Sequence, residues 1–306
     1  MPLVTSKEIL KEALANHYAV GAFNANNMEQ IQGIVEAAAE EHAPVILQVS
    51  QGAIRYAGLE FAAGMVKIAA SLVDVPVVLH LDHGTDFLQN VRCMRAGFTS
   101  LMFDGHDLPL EENIAITSRV VEIAHAVGVP VEAELGKVLQ VGVSMDEVLA
   151  AMTDPDEAAE FIAKSGADSL AVALGSIHAM ESRNASLDIE RAKAIHAAIP
   201  EVPLVLHGSS GVKHESVVDA IQHGIAKINV ATYLNQAFCE ALGEGIEKMP
   251  KNTDPRKYLS LSRDAVKERV REKIRLFGSS GVISAGGGFV SPKRSFRSAE
   301  LGGSEA

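Results

Sequence analysis

Three histidines close apolar, strand-like runs of the chain: His83 in PVVLHLDHG, His178 in LAVALGSIH and His207 in PLVLHGSSG. Imidazole is the commonest metal ligand among side chains, and a catalytic zinc ion takes three protein ligands and keeps one position open. Histidines this far apart in sequence meet only if the strands carrying them open on one rim, as the carboxyl ends of a closed parallel barrel do. Asp82 stands directly before His83, where a carboxylate either moves protons beside a metal or orients a metal-bound imidazole. Asp104 ends another run, and Glu132 and Glu134 lie two apart on one strand face. Carboxylates pointing into a barrel are costly unless cations face them, so these acids suggest a further metal position or a proton network. Glu132 is the one more readily explained by contact with a helix or solvent. His80 shares the face of Asp82 but lies deeper, as a support rather than a ligand. His17, His42, His125, His196, His214 and His223 fall in helices or at their edges and read as surface residues.

The elements that must position these groups follow from periodicity. Short β-branched runs predict eight strands, at 18–23, 44–49, 76–81, 100–103, 130–135, 169–174, 203–206 and 226–230. Helical patterns alternate with them at 28–41, 59–72, 87–96, 111–127, 157–164, 189–198 and 215–222, several ending at a glycine. Eight strand–helix repeats over roughly 250 residues predict a single (β/α)8 TIM barrel over residues 1–278. A doubly wound open sheet competes, but the first turn reads Phe23-Asn24-Ala25-Asn26-Asn27 where that fold carries a glycine-rich phosphate fingerprint. Extra C-terminal helices are expected at 233–249 and 260–277, with Asp254 to Tyr258 as the break between them. The Gly/Ser-rich stretch 279–306 is expected to be a flexible tail.

Two loops suit an anion. His207-Gly208-Ser209-Ser210-Gly211 leaves the seventh strand, and Asn229-Val230-Ala231-Thr232 leaves the eighth just before a helix. Exposed backbone N–H groups, hydroxyl donors and a helix start favour phosphate there, at the place where barrel enzymes commonly bind it. Lys227, on the eighth strand, raises the competing chemistry of a Schiff base with a carbonyl substrate. Asn229 lies nearer the mouth on the same face, which leaves Lys227 deep and structural.

Composition bounds the rest. At 306 residues and 47% hydrophobic, the chain can bury a large core. A net charge of −12 argues against a nucleic-acid surface, which would need clustered Lys and Arg. Two cysteines, Cys93 and Cys239, have no paired spacing and fit a reducing compartment. No apolar run reaches membrane length, and the start lacks a secretory pattern, so a cytoplasmic protein without membrane contact is expected.

The motifs LHLDHG, VEAELG, ALGSIH, LVLHGSSG, KINVAT and DPRKYL, in this order, resemble the class II, zinc-dependent ketose-bisphosphate aldolases from about Leu3 to Gly278. The resemblance implies that His83, His178 and His207 hold zinc or another divalent metal, with Glu134 and Asp104 near an alternative position. It implies Asp82 as the catalytic acid/base and Asn229 as a contact to the enediolate. Gly208, Ser209, Ser210 and Thr232 would surround the phosphate of dihydroxyacetone phosphate, with a monovalent cation, Na+ or K+. Asn24 and Ser50 would line the aldehyde side. Arg256 resembles an arginine that reaches a neighbouring subunit's site, which implies a homodimer or homotetramer. The expected activity is reversible cleavage of fructose or tagatose 1,6-bisphosphate into dihydroxyacetone phosphate and an aldehyde such as glyceraldehyde 3-phosphate.

The chain departs from that family's pattern in three places. Residues 137–147 replace paired glycines and an acidic pair, leaving Asp146 or Glu147 as the loop acids. Ala179, Met180 and Glu181 replace a glycine and a nearby tyrosine, and Ala231 stands where tagatose-type enzymes carry alanine. These departures keep open an aldolase for another ketose phosphate and a degenerate aldolase that binds phosphosugar without turnover; a zinc hydrolase on the same scaffold is a further option, because a metal-bound hydroxide needs similar ligands, but the phosphate-pocket position and Asn229 argue against it.

Overall fold

Every residue of the barrel strand Val77–Asp82 is buried, as a parallel strand covered on one side by helices and on the other by the barrel interior must be. The computed structural model describes residues 3–137, 139–140, 144–178, 185–284 and 287–290, with only the backbone of Leu139, Gln140, Met145, Ile177 and His178. In chain order the first half contains α1 (Ser6–Ala15), β1 (Val20–Asn24), α2 (Met28–Glu40), β2 (Val45–Ser50), α3 (Gln51–Ala57), α4 (Leu59–Ser71) and β3 (Val77–Asp82). It continues with α5 (Phe87–Arg95), β4 (Leu101–Phe103), α6 (Leu110–Ala126) and β5 (Val131–Leu135). Then come the short β6 (Leu139–Gln140), α7 (Met145–Ala150), α8 (Pro155–Ser165), β7 (Ser169–Val172), the short β8 (Ile177–His178) and α9 (Ile189–Ala198). The chain ends through β9 (Leu204–Leu206), α10 (His214–Ile221), β10 (Ile225–Val230), α11 (Thr232–Lys248) and α12 (Pro255–Leu276).

Eight strands form one sheet in the order β3-β2-β1-β10-β9-β7-β5-β4, and every pairing within it is parallel. The two end strands approach one another through bridges His80 to Ser100 and Gly84 to Phe103, with Leu81 N donating to Ser100 O at 3.1 Å, so the sheet curls into a barrel. All eight correspond to runs anticipated from the sequence. The register sets Ala22 beside Asn229 and Ser50 beside Asp82, which aligns the carboxyl ends of β1, β2, β3 and β10 on one rim.

Four features differ from the expectation. The helix α1 covers the opposite rim: Ile9, Leu10 and Ala13 are buried, and Ser6 Oγ lies 2.9 Å from Ser100 Oγ just before β4. A short helix, α3, interrupts the second crossover at the mouth, its start capped by Ser50 Oγ accepting from Ala53 N. Asp254 to Tyr258 does not break the chain before α12 but starts it, because Asp254 caps the helix and Pro255 occupies its first turn, where its missing N–H costs nothing. Finally, the ordered structure runs past Gly278: Ser279, Val282 and Ile283 are buried, and Gly281 N and Ile283 N donate to Glu41 O and His42 O. Residues 279–283, placed in the tail by the expectation, are thus packed against the core beside the end of α2. Residues 291–306 lie outside the described ones.

Candidate active site

His83 follows β3 in the left-handed backbone region, at φ 50°, an uncommon conformation for a side chain other than glycine. The turn swings its imidazole back over the barrel, where its ring lies 4.8 Å from that of His207 in an edge-on arrangement. His83 Nδ1 lies 2.6 Å from Asp104 Oδ2 and 3.7 Å from Glu134 Oε2, and His207 Nδ1 lies 3.5 Å from the same Glu134 oxygen. His207 Nε2 faces Glu132 Oε1 at 3.2 Å. Glu134 Oε2 and His207 Nδ1 are both buried and make no hydrogen bond among the described residues. Two orphaned electron-pair donors converging beside a third donor, the His83 imidazole, are what a divalent cation satisfies, so His83, Glu134 and His207 form a donor set that fits a metal.

Glu134 and Asp104 face both ways. The second oxygen of Asp104 lies 2.5 Å from His106 Nδ1, and Glu134 Oε1 lies 3.9 Å from it, giving a second cluster of Asp104, His106 and Glu134. Sequence reading missed His106, because it follows Asp104 by two residues in a loop and ends no apolar run. His178, expected as the third zinc ligand, pairs by backbone with Gln140 above β7, and its side chain lies outside the described residues. Ala179, Met180 and Glu181 also lie outside them. Glu147, one of the two candidate loop acids, caps α7 instead, accepting from Ser144 N and Oγ at 2.8 and 2.7 Å.

Electrostatics divide the titratable groups into fixed roles. Burial disfavours charge on Asp82, but His83, His207 and Lys227, with a hydrogen bond from Asn24, outweigh it and hold the carboxyl below its usual range. Burial likewise opposes a proton on His83, yet Asp82, Asp104 and Glu134 lift it to about 10. That proton stands where a bound cation's charge would answer the same carboxylates. Burial and the nearby Asp104 push Glu134 up. The deep lysine is tied down: Lys227 Nζ lies 2.7 and 3.0 Å from the two Glu132 oxygens and 3.4 Å from His80 Nε2. An amine so engaged is no free nucleophile, and Glu132 proves to be the buried counter-ion rather than a solvated acid. Burial, with Lys227 beside it, lowers His80 to about 3, so it supports the network as a neutral ring, its Nδ1 bonded to Ser100 Oγ at 2.8 Å.

Asp82 is gripped from two sides. Asn24 Nδ2 donates to Oδ2 at 2.7 Å, while Gln48 Nε2 donates to Asn24 Oδ1 at 2.6 Å and fixes that amide's orientation. Asn229 Nδ2 donates to Asp82 Oδ1 at 3.3 Å, while its own buried Oδ1 has no hydrogen-bond partner among the described residues. A cavity of about 200 Å³ opens from these groups past His83, His207, Gly208, Ser209, Ser210 and Thr232. Gly208 adopts a left-handed conformation that turns the chain into the Ser209–Gly211 3-10 turn, and Ser209 Oγ is spent on Asn229 O at 2.7 Å. Thr232 is the first residue of α11, so the helix start faces the cavity as anticipated. Lys273, unremarked in the sequence, also lines it: this buried ammonium near the end of α12 lies 4.8 Å from the centre of the Tyr233 ring. Arg256 stands exposed at the start of α12, bonded to Asp254.

The family model described as fructose-bisphosphate aldolase class-II matches residues 4–282. The chain belongs to that family. Among relatives of this aldolase chain, the fructose-bisphosphate aldolase of Thermus caldophilus is 44% identical over 91% of this chain and 99% of the relative. The fructose-bisphosphate aldolase of Geobacillus stearothermophilus is 46% identical over 92% and 99%. Among solved structures, the YdjI aldolase from Escherichia coli K12 superposes with a TM-score of 0.81 at 38% identity, over 91% of this chain and 98% of that one. The aldolase fold and its carbon–carbon lyase class therefore stand on sequence and structure together.

Proposed function

We propose that this class II aldolase reversibly cleaves fructose or tagatose 1,6-bisphosphate into dihydroxyacetone phosphate and glyceraldehyde 3-phosphate. The observation that carries the reading is Asp82, a buried carboxylate kept ionised chiefly by His83, His207 and Lys227 and oriented by two asparagine amides, on the wall of the cavity shared with His83 and His207. Zinc, held by His83, His178 and His207 with Glu134 and Asp104 close by, would when bound polarise the substrate carbonyl as a Lewis acid. In cleavage the bond between C3 and C4 breaks, its electron pair stays on C3, and the proton of the C4 hydroxyl passes to Asp82 as C4 becomes an aldehyde; C3 then takes up a proton from solvent to give dihydroxyacetone phosphate, and Asp82 releases its own to solvent. Asp82 returns the proton in the synthetic direction. Asn24 and Asn229 hold the carboxylate in line, and the unpartnered Asn229 Oδ1 is available to a hydroxyl of the three-carbon fragment.

The phosphate of that fragment would sit against Gly208, Ser210 and Thr232, with the α11 start and the Lys273 ammonium supplying positive potential and Ser209 bracing the loop. A monovalent cation, Na+ or K+, accompanies it in this reading. Asn24 and Ser50 line the aldehyde side, and Arg256 meets the second phosphate across a subunit boundary in a cytoplasmic homodimer or homotetramer. No helix among the described residues is long and apolar enough to cross a membrane.

The test is cleavage of fructose, tagatose and other ketose phosphates before and after chelation, with zinc added back. Chelator-sensitive cleavage restored by zinc, and lowered by roughly 10²- to 10⁴-fold in Asp82→Asn with metal still bound, is the expected result. Binding of metal and phosphosugar without products would leave a degenerate aldolase instead.

A further inference from the structure

The strands β2 and β3 pair residue for residue from Val45 beside Val77 to Ser50 beside Asp82, and there the ladder stops. One residue further on, both chains leave strand geometry. Gln51 becomes the first residue of α3, and His83 takes up its left-handed turn at φ 50°. A side chain takes over where the backbone ladder ends: Gln51 Nε2 donates to His83 O at 2.6 Å. The same amide nitrogen donates to Thr85 Oγ1 at 3.2 Å, so both protons of the Gln51 amide are committed to the turn at residues 83–85.

The other flank of the turn rests on β4. Asp104 N donates to Gly84 O at 3.0 Å, and Gly84 bridges Phe103. His83 N donates to Met102 Sδ at 3.4 Å, and a thioether is a weak acceptor. Gln51 supplies the shorter and stronger of these two bonds to the His83 backbone. A residue other than glycine keeps a positive φ only where its surroundings hold it there, and φ sets where the Cα–Cβ bond points. At φ 50° the imidazole of His83 lies 4.8 Å from the His207 ring and 3.7 Å from Glu134 Oε2. With the backbone extended, the same bond would point elsewhere and the donor set would open.

The helix α3 accounts for the reach of Gln51. Ser50 Oγ accepts from Ala53 N, which turns the chain at the end of β2 and leaves Gln51 half-buried beside the turn. We propose that Gln51 is a positioning residue of the metal centre, whose amide, by donating to the His83 carbonyl, fixes the left-handed turn that aims the His83 imidazole. It acts through His83 and touches neither the metal nor the substrate. The position requires a donor of glutamine's length, since methionine spans the same distance and offers the carbonyl no proton.

The inference rests on the reading of His83 as a metal ligand and not on which ketose is cleaved, so it is tested by metal binding. The full chain is compared as wild type, as Gln51→Met, as Gln51→Ala and as Thr85→Val, which removes the second acceptor but keeps the bond to His83 O. Zinc dissociation constants come from competition with a chromogenic chelator, and ligand geometry from the visible d–d absorption of the cobalt-substituted protein. Both Gln51 variants bind zinc roughly 10- to 100-fold more weakly, the loss usual when a residue that orients a metal-bound histidine is removed, while Thr85→Val stays within about two-fold of wild type. The cobalt spectrum shifts in the Gln51 variants alone. A wild type that binds no zinc overturns the metal reading and this inference together. Tight wild-type binding that survives both Gln51 changes, or an equal loss in Thr85→Val, overturns the inference alone. Weaker binding with the wild-type cobalt spectrum overturns it too, because the histidine would then still be aimed as before.

Discussion

The Lys227 ammonium and the Glu132 carboxylate are both buried and within 2.7 Å of one another, and His80 and His207 complete the cluster beneath the mouth. Burial works against charge on Glu132, but Lys227 and the hydrogen bond with His207 hold it well below the usual carboxylate range. Glu132 Oε1 in turn faces His207 Nε2, which leaves Nδ1 as the ring atom directed at Glu134. A buried ion pair is weak evidence of net stabilisation, but removing one member strands the other charge. Lys227→Met is therefore expected to cost roughly 3–5 kcal/mol in urea unfolding. Adding Glu132→Leu to it recovers a large part of that loss, since the stranded carboxylate is gone. A midpoint unmoved by Lys227→Met would show that Glu132 finds its countercharge elsewhere.

At the scale of elements, α12 is fastened to α2 by both shape and charge. Gly33 faces Arg263 O so closely that a Cβ would sit 2.8 Å from it, and Glu41, just beyond α2, receives Arg271, Arg275 and Ser280. Burial alone would raise the Glu41 carboxyl, but the hydrogen bonds from Arg275, Ser280 and Arg271 prevail and hold it below its ordinary value. A carboxyl lowered in the folded state gives stability that is complete above its unfolded pKa, about 4.3, and is lost as pH falls through the folded value. Stability should thus decline on acidification below about pH 5, and Glu41→Gln should flatten that decline while lowering stability at pH 7. Denaturant midpoints at several pH values check both, and a parallel acid decline in the variant would assign the effect to other carboxylates.

For the whole molecule, the barrel was legible because eight apolar runs each had to be buried on both faces, and that requirement writes itself into composition. The meeting of His83 with His207 was legible for the same reason, through strand ends. What escaped notice was set by contacts between distant segments. His106 and Lys273 reach the site from a loop and an outer helix with no strand pattern to announce them, and Ser6 begins a helix whose partner, Ser100, is 94 residues away. The chain beyond Gly278 escaped because glycine and serine suggest mobility, while its burial depends on two aliphatic residues among them. Val282 and Ile283 fill the gap beside α2, and Val290 N returns to Val282 O. Ending the chain after Gly278 removes these side chains and the Ser280 bond to Glu41, whereas ending it after Val290 keeps them all. Fully burying one aliphatic side chain is worth about 1.5–3 kcal/mol, so the shorter chain is expected to unfold at distinctly lower denaturant, by roughly 3–6 kcal/mol for the pair, and the longer one to match the full chain. Equal midpoints for the two truncations would mean that the segment rests on the barrel without holding it.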